Sequence, residues 1–267
     1  MKDSPQLSIH PSLKGRTVFV TGGGSGIGAA IVAAFAAQGA RVAFVDIAES
    51  ASAALAEQIV EQGHAAPWWR TCDVRDIGAL QKAIDDAAGE LGDFAVLVNN
   101  VASDDRHTLE SVTPDYYDNR MAINERPALF AIQSVVPGMR RLGFGSVVNL
   151  GSTGWQTKGS GYPCYAIAKS SVNGLTRGLA VELGKDRIRI NTVSPGWVMT
   201  DRQVKLWLDD EGEQSLSATS ACPTSSCRKT SRAWCCSSRR TTRRCAPRKS
   251  SRSTRAGPDQ SISSFRP

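Results

Sequence analysis

A tyrosine and a lysine stand one helical turn apart in the segment YAIAK at 165–169. Side chains four residues apart lie on one face of a helix, so Tyr165 and Lys169 can meet. An ammonium group beside a phenol lowers the pKa of the phenol, which suits proton exchange with an alcohol or a carbonyl near neutral pH. Ser152, thirteen residues upstream, could hold a substrate oxygen beside Tyr165. Taken singly, the Tyr–Lys pair could be a surface pair and Ser152 a turn residue or a helix cap.

A glycine-rich turn, TGGGSGIG at 21–28, lies between a short β-rich run and a helical stretch. Glycine lets the backbone approach a pyrophosphate closely, and the N-terminus of the following helix favours negative charge. A glycine run alone is also consistent with a plain tight turn. However, Asp46 ends the next predicted strand, twenty residues after Gly26, where a carboxylate can accept hydrogen bonds from both ribose hydroxyls of an adenosine.

The charge of Asp46 favours NAD over NADP, because a 2′-phosphate would lie against this carboxylate. The glycine turn contains no Arg or Lys, and the residues that follow Asp46 directly, Ile47 and Ala48, are uncharged. The predicted cofactor is therefore NAD.

Strands and helices alternate from residue 16 to residue 196, which predicts a parallel sheet with helices on both faces. The predicted strands cover 16–20, 41–46, 68–74, 94–100, 145–152 and 187–196. The predicted helices cover 29–38, 52–62, 77–91, 114–142 and 163–184. The predicted fold class is α/β: a single-domain Rossmann fold with a doubly wound parallel sheet over residues 10–215, followed by a separate segment at 216–267.

These motifs resemble those of the short-chain dehydrogenase/reductase family over roughly residues 10–215. The resemblance rests on TGGGSGIG, CDV at 72–74, NNVA at 99–102, Asn124, Ser152, YAIAK and SPGWVMT at 194–200. It implies a Rossmann-fold oxidoreductase that binds a nicotinamide cofactor and assembles as a homo-oligomer.

The resemblance also implies a role for each matching residue. Tyr165 would be the acid/base, Lys169 would lower its pKa and bind the nicotinamide ribose, and Ser152 would orient the reacting oxygen. Asn124 would hold a water that links Lys169 to solvent, and Asp73 would meet the adenine amine. The other residues predicted to bind the cofactor are Gly22, Ser25, Gly26, Ile27, Gly28, Asp46, Val74, Asn100, Pro195, Gly196, Val198 and Thr200.

The sequence departs from the family's pattern at two positions. NNVA stands where NNAG is usual, so Val101 could crowd the wall behind the ribose. Glu125 follows Asn124 where the family generally has an apolar residue. Neither departure removes a reacting group.

A narrower similarity is to bacterial sugar dehydrogenases, including D-xylose 1-dehydrogenases. It rests on PSLKGRTVFVTGGGSGIG, SDDRH at 103–107, NLGSTGW at 149–155 and RQVKLW at 202–207. It implies that an aldose hydroxyl, the anomeric one, is oxidised to a lactone; another secondary alcohol or a ketone is the alternative substrate. Asp105 and Arg106 could hydrogen-bond a polyhydroxylated ligand, and Trp155 could stack on a sugar face. A solvated loop, with His107 as a loop residue rather than a base, is the alternative interpretation of this region.

Composition limits the other classes of function. The chain begins with a polar stretch, MKDSPQLSIH, and contains no apolar run long enough to cross a membrane, which predicts a cytoplasmic protein. Cys72 and Cys164 are the only cysteines before residue 216 and are expected to be buried thiols. We expect a small-molecule substrate and neither a metal, a nucleic acid nor a membrane as partner.

The last segment differs in composition from the rest of the chain. Residues 217–267 hold 12 Lys or Arg and one acidic residue, a net charge of +11, whereas residues 1–216 have a net charge of −4. A basic nucleic-acid-binding arm on a Rossmann domain is one interpretation, but such a protein should also carry positive charge on its folded surface. A zinc site is a second, but Cys222, Cys227, Cys235 and Cys236 lack paired CxxC spacing and no His lies in this segment.

A shift of reading frame is the interpretation that we favour for this segment. When the frame is moved by one base, Trp234, Cys235 and Cys236 become an apolar residue, Val and Leu, whichever codons are used. One compatible choice of codons gives PEDIARMVLFL, and then Val-Asp-Ala-Gly-Trp near 252–257, which resemble the family's last helix and last strand. The chain would then lack the last strand of the sheet, which leaves a sheet edge uncovered and prone to aggregation.

We expect DNA sequencing of the coding region to find, in a neighbouring frame over codons 217–267, an apolar helix followed by a strand. An intact frame, with no neighbouring frame that encodes such a segment, would show that the basic segment is genuine.

Overall fold

The computed structural model describes residues 8–157, 160–196, 198, 200, 202 and 203. Six parallel strands form one sheet in the order β3-β2-β1-β4-β5-β6, which confirms the predicted fold class. The strands are β1 Thr17–Thr21, β2 Arg41–Asp46, β3 Trp68–Thr71, β4 Val96–Asn99, β5 Gly145–Leu150 and β6 Ile188–Val193. The predicted segment 216–267, and with it the predicted loss of a last strand, lies outside the described residues.

The helices between the strands cover both faces of the sheet. They are α1 Gly26–Ala37, α2 Glu49–Glu61, α3 Ile77–Leu91, α4 Pro114–Asn124, α5 Arg126–Leu142 and α6 Pro163–Gly184. Alternate residues of a strand point to opposite faces, and β1 shows this: Val18 and Val20 pack with α1 and α2, whereas Phe19 packs with α3 and α5. The two core layers hold the sheet between them.

The predicted helix at 114–142 is two helices in the structure. It is interrupted at Glu125, whose φ of −129° and ψ of −59° are not helical. Pro127 provides the physical reason, because proline has no N–H to donate to the carbonyl four residues earlier and its ring collides with that carbonyl. The break places Asn124 at the end of α4 and starts α5 in a new direction.

A row of polar side chains crosses the sheet at its carboxyl edge. Thr21, Asn99, Asn149 and Thr192 are paired in register across β1, β4, β5 and β6. Asn99 Nδ2 donates to Asn149 Oδ1 (2.9 Å), and Asn149 Nδ2 donates to the hydroxyl of Thr176 on α6 (3.0 Å). The Thr176 hydroxyl also lies 2.7 Å from that of Thr192. This polar row fastens α6 to the centre of the sheet.

The strand order reverses between β1 and β4, which creates a crevice at the carboxyl ends of these two strands. Ligands of open α/β sheets bind at such a switch point. Cys72 and Cys164 are buried free thiols, as the sequence predicts. Within the described residues, no helix is long and apolar enough to span a bilayer.

Candidate active site

The end of β5 and the first turns of α6 bring the predicted catalytic side chains together. The Ser152 hydroxyl lies close enough to the Tyr165 phenol to lower the pKa of the phenol, and Ser152 Oγ accepts the N–H of Gly154 at 3.0 Å. The Lys169 ammonium lies 5.9 Å from the centre of the Tyr165 ring and donates to the carbonyl of Leu150 at 2.8 Å. The bond from Lys169 joins helix α6 to the end of strand β5.

The electrostatics of Tyr165 differ from the expectation drawn from sequence. Burial raises the pKa of Tyr165 above its usual value, and the nearby Asp104 carboxylate raises it further, while the Ser152 hydrogen bond and the charge of Arg106 oppose the rise. The Lys169 ammonium is hydrogen-bonded to the carbonyl of Leu150, and its predicted lowering of the pKa of Tyr165 remains a prediction.

Lys169 is a buried charge, with 2% of its surface exposed. Desolvation lowers the pKa of Lys169 to about 8, because burial disfavours the ammonium form. A lysine with a pKa in this range can gain or lose a proton close to neutral pH, as groups that take part in proton transfer do.

Asn124 joins α4 to the loop that follows β4. Its Oδ1 accepts the N–H of Ser103 (2.7 Å), and its Nδ2 donates to the carbonyls of Ser103 (3.1 Å) and Arg120 (3.0 Å). Asn124, Lys169 and Asn99 line a cavity of about 20 Å³. A cavity of at least about 10–15 Å³ can hold one water, so the space suits the predicted water, whose link to Lys169 remains a prediction.

The carboxylate of Asp46 lies at the glycine turn. Its Oδ2 accepts the N–H of Gly24 at 2.8 Å, and its Oδ1 accepts the N–H of Ala48 at 2.9 Å. Asn100 holds the turn from the other side, because its Nδ2 donates to the carbonyl of Gly22 at 2.8 Å. These bonds set the turn rigidly between β1, β2 and β4.

The backbone of the turn is packed too closely for any side chain at several positions. A Cβ added to Gly28 would lie 1.7 Å from the carbonyl oxygen of Gly22, and one added to Gly24 would lie 2.5 Å from Ser52 Oγ. Helix α1 begins at Gly26, and its N-cap Ser25 is exposed and makes no side-chain cap hydrogen bond. A bare helix N-terminus behind a close glycine turn fits a dinucleotide pyrophosphate. The remaining predicted member of this turn, Ile27, packs partly against the core.

Asp73 and Val74 follow β3 and have different surroundings. Asp73 is paired with the guanidinium of Arg75, and this hydrogen bond lowers the pKa of Asp73. Val74 is buried in the core, so only its backbone could contact a cofactor. The predicted contact between Asp73 and an adenine amine remains a prediction.

The segment after β6 lies over both the catalytic residues and the glycine turn. The carbonyl of Pro195 accepts the N–H and the hydroxyl of Thr153 at 3.1 and 3.2 Å. The Thr200 N–H donates to the carbonyl of Val198 (2.8 Å), and the methyl group of Thr200 lies 3.5 Å from where a Cβ of Gly26 would be. Gly196 is exposed and makes no close contact at its Cα with the described residues. The structure therefore brings this segment to the glycine turn, as predicted for a cofactor-binding region.

The predicted substrate residue Asp105 takes part in an ion-pair network. Its carboxylate contacts the nearly buried guanidinium of Arg120 at 2.5 Å and Arg202 at 2.9 Å, and Arg202 also reaches Asp104 at 3.1 Å. Although burial raises the pKa of Asp105, hydrogen bonds from Ser103 and Arg120 and the charges of Arg120 and Arg202 bring it below its usual value. Asp105 thus neutralises the charge of the nearly buried Arg120. Asp104 lies close enough to Tyr165 for its charge to act on the phenol.

Arg106 and Trp155 lie on the two loops beside Tyr165. The Arg106 guanidinium stacks on the ring of Tyr162 at 4.6 Å, and that ring is 6.0 Å from the Tyr165 ring. Trp155 is 37% exposed in the turn after β5. Arg106 is thus linked to Tyr165 through the ring of Tyr162, and the predicted contacts of Arg106 and Trp155 with a substrate remain predictions.

The structure brings to this site two residues that the sequence analysis did not single out, Tyr116 and Arg120. Arg120 and Tyr116 lie four and eight residues before the predicted Asn124 on α4, and all three contact the loop after β4. The spacing of four residues could have shown in the sequence that these side chains share one face of a helix. The charge of Arg120, however, indicates an exposed position, and its burial is known only from the structure. Tyr162 could have been noticed as an aromatic residue three positions before Tyr165.

A protein-family comparison agrees with this geometry. The family model described as enoyl-(acyl carrier protein) reductase matches residues 22–226. A solved short-chain dehydrogenase/reductase from Serratia marcescens is 34% identical and superimposes with a TM-score of 0.71, covering 77% of this chain and 82% of that one. The chain belongs to the short-chain dehydrogenase/reductase family.

Among curated members of this family, two relatives are sugar dehydrogenases by name. "Probable galactose dehydrogenase" of Rhizobium meliloti (strain 1021) is 48% identical over 204 residues, which are 76% of this chain and 80% of the relative. D-xylose 1-dehydrogenase of Caulobacter vibrioides (strain NA1000 / CB15N) is 45% identical over 211 residues, 79% of this chain and 83% of the relative. The chain is therefore an oxidoreductase closely related to sugar dehydrogenases.

A single methyl group added in the glycine turn of this short-chain dehydrogenase/reductase should lower both the stability of the fold and the affinity for NADH. Replacing Gly28 by Ala forces an overlap with the carbonyl of Gly22, so we expect a loss of about 1–3 kcal/mol in the free energy of unfolding. We also expect the Kd for NADH to rise at least about tenfold, because the turn must move out of its pyrophosphate-binding geometry. Thermal unfolding and NADH fluorescence titration measure the two effects.

Gly89→Ala is the matched control, because nothing lies within 4 Å of a Cβ at this exposed helical position. It should stabilise the fold by about 0.5–1 kcal/mol and leave NADH binding unchanged. Equal behaviour of the two alanine variants would contradict the close approach at Gly28.

Proposed function

We propose that this short-chain dehydrogenase/reductase oxidises the anomeric hydroxyl of an aldose to a lactone with NAD. The proximity of the Ser152 hydroxyl to the Tyr165 phenol, in the same fold as the Asp46 carboxylate at the glycine turn, carries the proposal. The names of the two sugar dehydrogenase relatives support an aldose as the substrate. Another secondary alcohol or a ketone is the alternative substrate class.

In the proposed reaction, NAD supplies the acceptor for a hydride, that is, for the two electrons and the hydrogen of the substrate C–H bond. Tyr165, as phenolate, takes the proton of the substrate hydroxyl, so that the C–O bond becomes a carbonyl. Ser152 donates a hydrogen bond that holds the reacting oxygen beside the phenol. Because burial raises the pKa of Tyr165, positive charge close to the phenol is needed, and Lys169, whose ammonium lies 5.9 Å from the centre of the ring, is proposed to supply it.

We also propose how the remaining parts of the chain contribute. Residues 10–215 form the folded unit, and residues 216–267 lie outside it. The unit works as a cytoplasmic homo-oligomer, as the family resemblance implies, and binds a small molecule rather than a nucleic acid. Asp105, Arg106 and Trp155 are proposed to shape the substrate side of the crevice, with Asp105 acting through the arginines it binds.

NADH and NADPH titrations, followed by fluorescence, test the proposed role of Asp46. We expect NADH to bind at least about tenfold more tightly than NADPH, because the 2′-phosphate would meet the carboxylate. In Asp46→Asn the charge is lost while one acceptor oxygen remains. A hydrogen bond to a charged group contributes about 1.5–3 kcal/mol, so the Kd for NADH should rise about tenfold or more while NADPH binding does not weaken.

Asp85 is an exposed carboxylate on α3, so Asp85→Asn is the control for a simple change of net charge. This substitution should change the affinity for neither NADH nor NADPH. Tighter binding of NADPH by the unaltered chain would refute the assignment of NAD. Binding of neither would direct the experiment to a protein with its reading frame restored.

Tyr165→Phe tests the acid/base assignment while keeping the ring that packs beside Tyr162. Turnover with D-galactose or D-xylose should fall by about 10²–10⁴-fold, the usual contribution of general acid–base catalysis, and the Kd for NADH should stay the same. Tyr162→Phe removes a hydroxyl only one turn away and should retain most of the activity. Unchanged turnover in Tyr165→Phe would refute the mechanism, and activity confined to non-sugar alcohols would favour the alternative substrate class.

A further inference from the structure

The N-terminus of α6 is capped by a side chain from a distant loop. Its N-cap residue, Tyr162, makes no side-chain cap hydrogen bond, and Pro163 has no N–H. The N–H of Cys164 is thus the first backbone donor of the helix, and it donates to His107 Nε2 at 3.1 Å. His107 lies on the loop between β4 and α4.

A second bond joins the same two segments. The N–H of His107 donates to the carbonyl of Gly161 at 2.9 Å, just before α6 begins. The loop after β4 is therefore fastened to the start of α6 through both the backbone and the side chain of His107. A helix start leaves several N–H groups without intrahelical partners, so an acceptor at this point fixes the helix end.

The contacts of the imidazole indicate its protonation state. Because Nε2 accepts the N–H of Cys164, the ring proton is on Nδ1, which lies 2.9 Å from the carbonyl oxygen of Asp105 and 3.0 Å from the Tyr116 hydroxyl. The lone pair of Nε2 is thus already used, so His107 is not free to act as a base. A second proton would turn Nε2 from an acceptor into a donor and break the bond to Cys164.

Titratable and charged groups face this imidazole from three elements. Asp105 lies on the same loop, Tyr116 and Arg120 lie on α4, and the Cys164 thiol lies on α6. Burial raises the pKa of both Tyr116 and Cys164, so both remain uncharged near neutral pH. The charge of Arg120 is matched by the carboxylate of Asp105.

We propose that His107 is a positioning residue that sets the direction of the catalytic helix by capping Cys164. Tyr165 is the next residue after Cys164, and Lys169 follows one turn later, so a shift of the helix start moves the phenol relative to Ser152. This inference rests on the proposed function, in which the phenol transfers a proton to or from the substrate. His107 acts on turnover through Tyr165 and touches neither substrate nor cofactor.

Two amide substitutions separate the cap from other contributions of the imidazole. The side-chain oxygen of Gln in His107→Gln can reach the position of Nε2, whereas that of Asn in His107→Asn reaches only the position of Nδ1. Both remove the ring that packs on Tyr116. We expect kcat to fall about tenfold to a hundredfold in His107→Asn and no more than about threefold in His107→Gln, with the Kd for NADH unchanged in both.

Amide hydrogen exchange tests the cap without any turnover. In the full chain, exchange of the peptide that contains Cys164 and Tyr165 should be about five- to tenfold faster in His107→Asn than in His107→Gln, because one hydrogen bond contributes about 1 kcal/mol. A peptide from α3 should exchange equally in all the proteins. If the exchange differs while no variant oxidises an aldose or another alcohol, the proposed function fails and the cap stands. Equal exchange and equal kcat in the two amide variants would show that His107 does not position the helix.

Discussion

The hydrogen bond between Asn149 and Thr176 is the interaction on which the rest of the site depends. It joins β5, which carries Ser152 at its end, to α6, which carries Tyr165 and Lys169. The Asn149 side chain is 1% exposed, and a buried polar group left without a partner costs about 1–3 kcal/mol. The bond therefore favours the register of α6 on the sheet that satisfies this amide, and this register places the catalytic side chains.

Charge inside the site is arranged with few compensating partners. Arg120 is nearly buried and is matched by Asp105, but Lys169 is held by a neutral carbonyl, and burial shifts its pKa to about 8. Burial also raises the pKa of Tyr165, so burial disfavours the charged form of both groups, the phenolate and the ammonium. The protonation of Tyr165 and Lys169 therefore responds to any charge that enters the crevice, as expected where protons are exchanged.

Much of this arrangement could be predicted from sequence because it depends on local patterns. The spacing of Tyr165 and Lys169, the glycine turn and the alternation of strands with helices are all readable within short windows. The break at Glu125 was missed because apolar residues continue across it, although Pro127 was a visible signal. The roles of His107 and Arg120 depend on contacts between segments far apart in the chain. Likewise, the raised pKa of Tyr165 depends on burial, which no spacing of residues reveals.

The contacts that position the reacting groups lie at the two ends of the connection between β5 and α6. Lys169 is held at Leu150 and Ser152 lies beside Tyr165 at one end, and His107 holds Gly161 and Cys164 at the other. Residues in the middle of this connection, around Trp155, can therefore be exchanged, or their number altered, without moving the reacting groups. One catalytic unit can therefore be adapted to new substrates in evolution or in the laboratory, with the connecting loop as the natural place for random mutation.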